Sequence, residues 1–225
     1  MNCDFCDGTG ERIYRDEKGR SCVTVCTYCN TWRNRRKEVL YNAAHLPIKC
    51  GEYELVPNVA DYAEEFNSLK NNPKNWLMLS GRPGTGKTTQ ATLLAHELID
   101  RYLKRVLFFN SFDLFRRLVS SKKRVDEYDR IVDSFLDADV AILDDLLKVV
   151  PDRNSFEYAD FKTVSLEVLW RRYDSGKPTV ITSQVGFTEF MNFDSAFTGR
   201  VLEKCEDRFI VKFGENARNW RVGLA

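Results

Sequence analysis

Four short apolar runs punctuate the later part of the chain: "NWLML", "RVLFFN", "DVAILDDL" and "PTVITSQ". Each is too short for a core helix, the last three are β-branched or aromatic in their middle, and helical spacing such as Leu93, Leu94 and Leu98 separates them. Runs of this kind, joined by helical crossovers, predict a parallel sheet buried on both faces by helices, an α/β fold. The last three runs end in polar residues, and in such sheets ligands sit beyond the carboxyl ends of the strands.

The pattern ahead of these runs is different. "ERIYRDEKGRSCVTV" holds two short strand-like stretches about the turn signal Lys18-Gly19, which predicts a hairpin. "NTWRNRRKEVLYNAA" reads as a helix whose Arg33, Arg35, Arg36 and Lys37 make a basic face, either a solvated surface or a contact for nucleic acid or a partner. "HLPIKCGEYEL", with Pro47 and Gly51, reads as a linker into a helix near Asp61 to Leu69, with His45 and Cys50 as packing residues.

A length of 225 residues suffices for one α/β core and a small appended module. The formal net charge of +1 excludes a polybasic binder and confines any nucleic-acid contact to local patches. No run approaches the roughly 18 to 20 apolar residues of a bilayer span, and the first residues lack the basic-then-apolar pattern of a secretory signal. A cytoplasmic protein with no membrane partner is expected. Seven cysteines there read as metal ligands, redox groups or buried hydrophobes rather than as disulfides.

Four of those cysteines have metal-site spacing. Cys3 and Cys6 form one Cys-x-x-Cys knuckle, and Cys26 and Cys29 form a second after nineteen intervening residues. Two such knuckles aim four thiolates at one point, the arrangement zinc prefers, and a bound metal replaces the core that so short a segment cannot build. Gly8 and Gly10 would supply the turn that lets backbone amides approach the sulfurs. Cys22, four residues before Cys26, is an alternative ligand, and unrelated thiols or a redox pair are the bland readings.

The densest chemistry lies in "NWLMLSGRPGTGKTTQATLLAHELI". An apolar run feeds Gly81-x-x-x-x-Gly86-Lys87-Thr88 and a helical pattern follows at once, the context a phosphate-binding P-loop requires. Gly81, Gly84, Thr85, Gly86, Lys87, Thr88 and Thr89 would cradle ATP, since loop amides converge on phosphate at a helix N-terminus. Lys87 would reach the β- and γ-phosphates and the Thr88 hydroxyl would ligate magnesium. Asp144 and Asp145 close the run "VAILDD": Asp144 would hold magnesium, and Asp145 would orient or deprotonate the attacking water. Paired acids without a phosphoryl-acceptor signature favour hydrolysis over a kinase.

On these residues the chain resembles the AAA+ helicase loaders of bacteria and phages, the DnaC and DnaI type, and is similar to the IstB transposition ATPases. The resemblance spans nearly the whole chain through "GRPGTGKT", "VAILDDL", "LWRRYDSGKPTVITSQ" and "FTGRVLEKCEDRFIVKFGENARNWR". It implies a P-loop AAA+ core with a parallel sheet and flanking helices over 73–225, a linker and leading helix over 46–72, and a small zinc module over 1–45 that binds the helicase. With seven residues after Arg218, no C-terminal lid domain is expected. The resemblance makes Gln184 the first sensor of the γ-phosphate, with Ser183 as the neighbouring alternative. Arg200 becomes an arginine finger acting on the next subunit, and Arg218 a second sensor.

The implied activity is a slow ATPase, stimulated by assembly or DNA, that loads a DnaB-type replicative helicase onto single-stranded DNA while self-assembling into a helical or ring-like oligomer. Arg116, Arg117, Lys122, Lys123 and Arg124, beside Phe112 and Phe115, are the candidate DNA contacts; helix core for the rings and solvent for the charges is the alternative. A transposition-targeting ATPase and a non-catalytic nucleotide-binding regulator of helicase are the rival functions.

Overall fold

Trp76 and Met78 face one side of the sheet while Leu77 and Leu79 face the other, and the same alternation sets Leu107 against Val106 and Phe108, and Ala141 and Leu143 against Val140 and Ile142. A strand with apolar residues at every position has no face left for water, so it needs helices on both sides. The computed structural model describes residues 3, 5–6, 9–47, 54–68, 75–205 and 207–214. Gly8, Cys50, Gly51, Leu69 and Arg218, and the expectation about a C-terminal lid, lie outside the described residues.

In chain order the elements are β1 (Glu11–Arg15), β2 (Ser21–Val25), α1 (Thr27–Ala44), α2 (Pro57–Ser68), β3 (Trp76–Gly81), α3 (Lys87–Tyr102), β4 (Val106–Asn110), α4 (Ser111–Ser121) and α5 (Val125–Asp137). There follow β5 (Val140–Asp144), α6 (Phe156–Asp174), β6 (Thr179–Ser183), α7 (Phe187–Phe193), α8 (Ser195–Lys204) and β7 (Ile210–Phe213). β1 and β2 make the expected antiparallel hairpin. The other strands form a five-stranded parallel sheet in the order β4-β5-β6-β3-β7. α1, α2 and α3 contribute to the core on one face, and α4 to α8 to the core on the other.

Two helices begin earlier than their sequence patterns indicate. α2 starts at Pro57 rather than near Asp61, because proline at a first helical position has a preset φ and no N–H to leave unpaired. α1 starts at Thr27, with Cys26 as its N-cap, so Cys29 lies in the helix's first turn. Half of the basic face of α1 is spent internally. Arg33 donates to the carbonyls of Asp100 and Arg101, among the last carbonyls of α3, and Lys37 pairs with Asp100 at 2.9 Å. Such carbonyls have no helical partner and carry the negative end of the helix dipole, so a guanidinium satisfies both needs. Arg35 and Arg36 stay exposed.

Candidate functional site

β3 delivers the chain into the glycine loop at Gly81. A Cβ at this residue would lie 2.7 Å from the Phe213 carbonyl oxygen of β7, so the sheet itself requires glycine there. Gly84 and Gly86 hold φ of 83° and 92°, left-handed values that turn the loop back over the start of α3. Thr85 Oγ1 donates to the Arg82 carbonyl at 2.9 Å, closing the loop across its base. The leading N–H groups of α3 have no helical acceptors and stand at the positive end of its dipole, the donor set for a phosphate. Lys87 is buried, with Nζ donating to the Gly81 and Arg82 carbonyls at 2.8 Å each.

One turn into α3, Gln90 ties the preceding segment down: its Oε1 accepts from the Val56 N–H and its Nε2 donates to the Glu54 carbonyl, both at 2.9 Å. The segment leading into α2 is thereby fixed to the loop's own helix.

β5 ends at Asp144, beside the loop. Its Oδ1 accepts from Thr88 Oγ1 at 2.9 Å and from Thr182 Oγ1 at 2.7 Å. Burial pushes the Asp144 carboxyl above its ordinary pKa, the two hydroxyl hydrogen bonds pull it down, and neighbouring Asp145 pushes it up again. The Thr88 hydroxyl and Asp144 carboxylate converge as hard oxygen donors of the kind magnesium takes, so the residues fit that ion.

Asp145 sits at φ 56° and Leu147 at φ 61°, strained for residues with side chains. β6 over-determines the turn: Thr182 Oγ1 accepts from the Asp145 N–H, the Thr182 carbonyl accepts from the Leu146 N–H, and Ser183 Oγ donates to the Leu146 carbonyl. The Asp145 carboxylate is held between Gln184 Nε2 at 2.9 Å and Lys148 Nζ at 2.8 Å. Gln184, and not Ser183, therefore reaches the second acid. Thr182, Lys148 and Gln90 escaped the sequence reading. Thr182 had a signal, a hydroxyl at the carboxyl end of an apolar strand; the other two had none.

The sulfurs of Cys3, Cys6, Cys26 and Cys29 lie within 4.8 Å of one another. Cys3 and Cys26 approach to 3.9 Å and Cys6 and Cys29 to 3.3 Å, close to the ~3.8 Å edge of a zinc–thiolate tetrahedron. The turns behind them are hydrogen-bonded: the Cys6 N–H donates to Cys3 O, and the Cys26 N–H to the carbonyl of Gly10, which holds φ at 79°. Cys22 lies on β2, with Sγ donating to the Arg20 carbonyl, outside the cluster.

The model of the IstB-like ATP binding protein family matches residues 29–212, which include the loop, both acids and the whole parallel sheet but for the last residue of β7. The chain belongs to this family. Bacillus subtilis (strain 168) YqaM is 27% identical over 165 residues, 72% of this chain and 51% of YqaM. The phage-like element PBSX protein XkdC of the same strain is 28% identical over 152 residues, 67% of this chain and 55% of XkdC. The chain thus spans about half the length of the curated relatives it matches. Among solved structures, DnaI superposes with a TM-score of 0.53 at 20% identity, covering 82% of this chain and 93% of that one. The DnaC helicase loader gives 0.51 at 21%, covering 75% and 97%. The fold is that of the DnaC-like P-loop core.

Among the described residues of this IstB-like chain, the remaining candidates make contacts away from the loop. Arg200, on α8, stacks its guanidinium 4.9 Å from the Trp170 ring and 5.5 Å from that of Tyr173, both on α6. Among the basic residues of α4 and the following turn, Lys122 pairs with Asp160 at 2.6 Å and Arg124 with Glu127 at 2.8 Å, while Arg116 lies over Phe112. Phe115 is buried against Phe161, and Phe112 packs on the same ring. Phe115 is a core residue and offers no face to a base.

Proposed function

We propose that this IstB-like protein is an ATPase that uses nucleotide state to place a DnaB-type replicative helicase on single-stranded DNA. The observation that carries the reading is the convergence of Thr88, Asp144 and Thr182 beneath the glycine loop, in a chain folded like DnaI and the DnaC helicase loader. Bound ATP with Mg²⁺ would supply the phosphoanhydride and the cation that neutralises it. The loop from Gly81 to Thr89 and the Lys87 ammonium bind and orient the phosphates. Thr88 and Asp144 hold the cation, and Thr182 holds Asp144.

Asp145 accepts the proton of the attacking water, and Gln184 positions that water from the other side. Lys148 Nζ already occupies one Asp145 oxygen at 2.8 Å, which suits a slow switch rather than a fast hydrolase. Arg200 acts on the nucleotide of the next subunit and Arg218 on that of its own, so hydrolysis requires self-assembly. Mixing therefore separates the roles. Lys87→Ala and Arg200→Ala are each expected to be inactive alone, whereas their mixture regains a measurable fraction of parental phosphate release, because one supplies the finger and the other an intact site.

Residues 1–45 serve as the helicase-binding module, 46–72 as linker and leading helix, and 73–225 as the ATPase. The four-cysteine cluster holds zinc, and the exposed Ile13, Val23 and Val25 on one face of the hairpin give the helicase an apolar contact. Metal analysis of protein purified without chelator is expected to give one zinc per chain. Cys26→Ser is expected to lose it and Cys22→Ser to keep it; equal content in all three would remove the site. The functional reading is tested by mixing the chain with the DnaB-type helicase of its host, with and without ATP, and measuring mass by light scattering. A nucleotide-dependent complex supports loading, and its absence in both states favours the transposition-type ATPase.

A further inference from the structure

We propose that the N-terminal module carries a groove for single-stranded nucleic acid, formed by Phe5, Arg12, Tyr28, Trp32 and Arg35. These residues, with the hydroxyl-bearing Thr27 and Thr31, line a cleft of about 520 Å³ beside the cysteine cluster. Phe5 is 58% exposed, Tyr28 61% and Trp32 40%, so three large rings face water in a module with little core of its own. An exposed aromatic cluster of this kind marks a binding surface, since burying such rings is among the largest gains open to a fold.

The arrangement specifies the ligand. Tyr28 and Trp32 lie one helical turn apart on the same face of α1, and Thr31 and Arg35 repeat that spacing. Phe5 sits 5.7 Å from the Tyr28 ring at 43°, and the Arg12 guanidinium lies 5.6 Å from the centre of Phe5. Rings that accept stacked bases, interleaved with guanidiniums that meet phosphates, are what a single strand needs from a protein. Among the described residues the lining holds two arginines and no acid, which complements a polyanion.

A protein partner fits this groove less well than the face behind it. Strand alternation puts Ile13 and Val23, paired across the hairpin, on the side opposite Arg12. That second face is apolar, and protein interfaces are depleted of charge at their centres. The stretch from Arg116 to Arg124 is the weaker candidate for the strand, because Lys122 and Arg124 are ion-paired and Phe115 is buried. The inference does not depend on the ATPase reading, because neither the loop nor its acids enter it.

The test is fluorescence anisotropy of the full chain, without nucleotide, against labelled oligo(dT) and oligo(rU) of equal length over a range of salt. The parent is expected to bind. Trp32→Ala weakens binding about tenfold and Trp32→Phe restores most of it, as lost and regained stacking requires. Arg35→Gln, at an exposed position that folding does not use, lowers the slope of log affinity against log salt by about 0.7, one phosphate contact. Equal affinity for the two polymers supports recognition by stacking and backbone, and a preference names the polymer. The proposal is overturned if the parent binds neither, if Trp32→Ala and Arg35→Gln bind like the parent, or if these variants lose the helicase while keeping the oligonucleotide.

Discussion

Asp144→Asn is expected to lower ATP hydrolysis by at least about a hundredfold while leaving the nucleotide-free protein as stable as the parent or more so. The two halves of this result come from the same geometry. Asparagine keeps an oxygen that accepts from Thr88 and Thr182, so the local hydrogen bonds survive. It loses the negative charge proposed to hold the cation. Folding raises the Asp144 pKa, chiefly through burial, so the ionised carboxylate is disfavoured in the fold relative to the unfolded chain. That penalty is fully present above the folded pKa and absent below the ordinary aspartate value of about 4. A melting temperature equal to or above the parent's at neutral pH, with any gain vanishing in acid, is the expected signature. Phosphate release and thermal melting on one preparation check both halves, and a variant that hydrolyses at the parental rate would remove Asp144 from the site.

The largest loss of stability is expected at Arg172, far from any chemistry. This arginine of α6 is fully buried. Its Nη1 donates to the carbonyls of Phe135, Leu136 and Ala138, its Nη2 to that of Pro178, and its Nε to the Thr179 hydroxyl. Those acceptors lie at the end of α5 and the entrances to β5 and β6, so one side chain fixes where both strands begin. Burial brings the guanidinium pKa down to about 10, and its charge is spread over carbonyl dipoles and the Phe135 ring at 5.6 Å. Arg172→Met takes the donor from the Phe135 and Ala138 carbonyls, while Leu136 keeps Lys177 Nζ and Pro178 keeps the Ala141 N–H, at about 3 kcal/mol. For a chain of this size that corresponds to ~10 °C in the melting midpoint. Arg172→Lys is expected to recover little, because a compact ammonium with three donors cannot reach a planar fork's five acceptors. A melt within about 2 °C of the parent for Arg172→Met would contradict this reading of the strand entrances.

The parallel sheet and the loop were legible because their signals are local. Four apolar runs state their burial on both faces, and the glycines, lysine and threonine of the loop stand side by side in the chain. The cysteine cluster was legible through spacing. What escaped is what folding brings together from a distance. Thr182 joins Asp144 across 38 residues, and Gln90 reaches back to Glu54 and Val56. Arg33 and Lys37 look like a surface face in sequence, yet they dock on the end of α3. Arg172 belongs to a motif that carries the resemblance to helicase loaders, and its contacts are those of a structural clamp. Composition marks such residues as charged and cannot state what they touch.

The proposed loading of a replicative helicase under nucleotide control can be followed on closed single-stranded DNA circles. The DnaB-type helicase of the host is added to a circle bearing an annealed labelled strand, with the chain, with Lys87→Ala or with neither, and displacement of the strand is followed in ATP. Displacement with the parent chain is expected well above the level without it, and Lys87→Ala is expected to lose that gain. Equal displacement in all three mixtures would contradict the proposed loading.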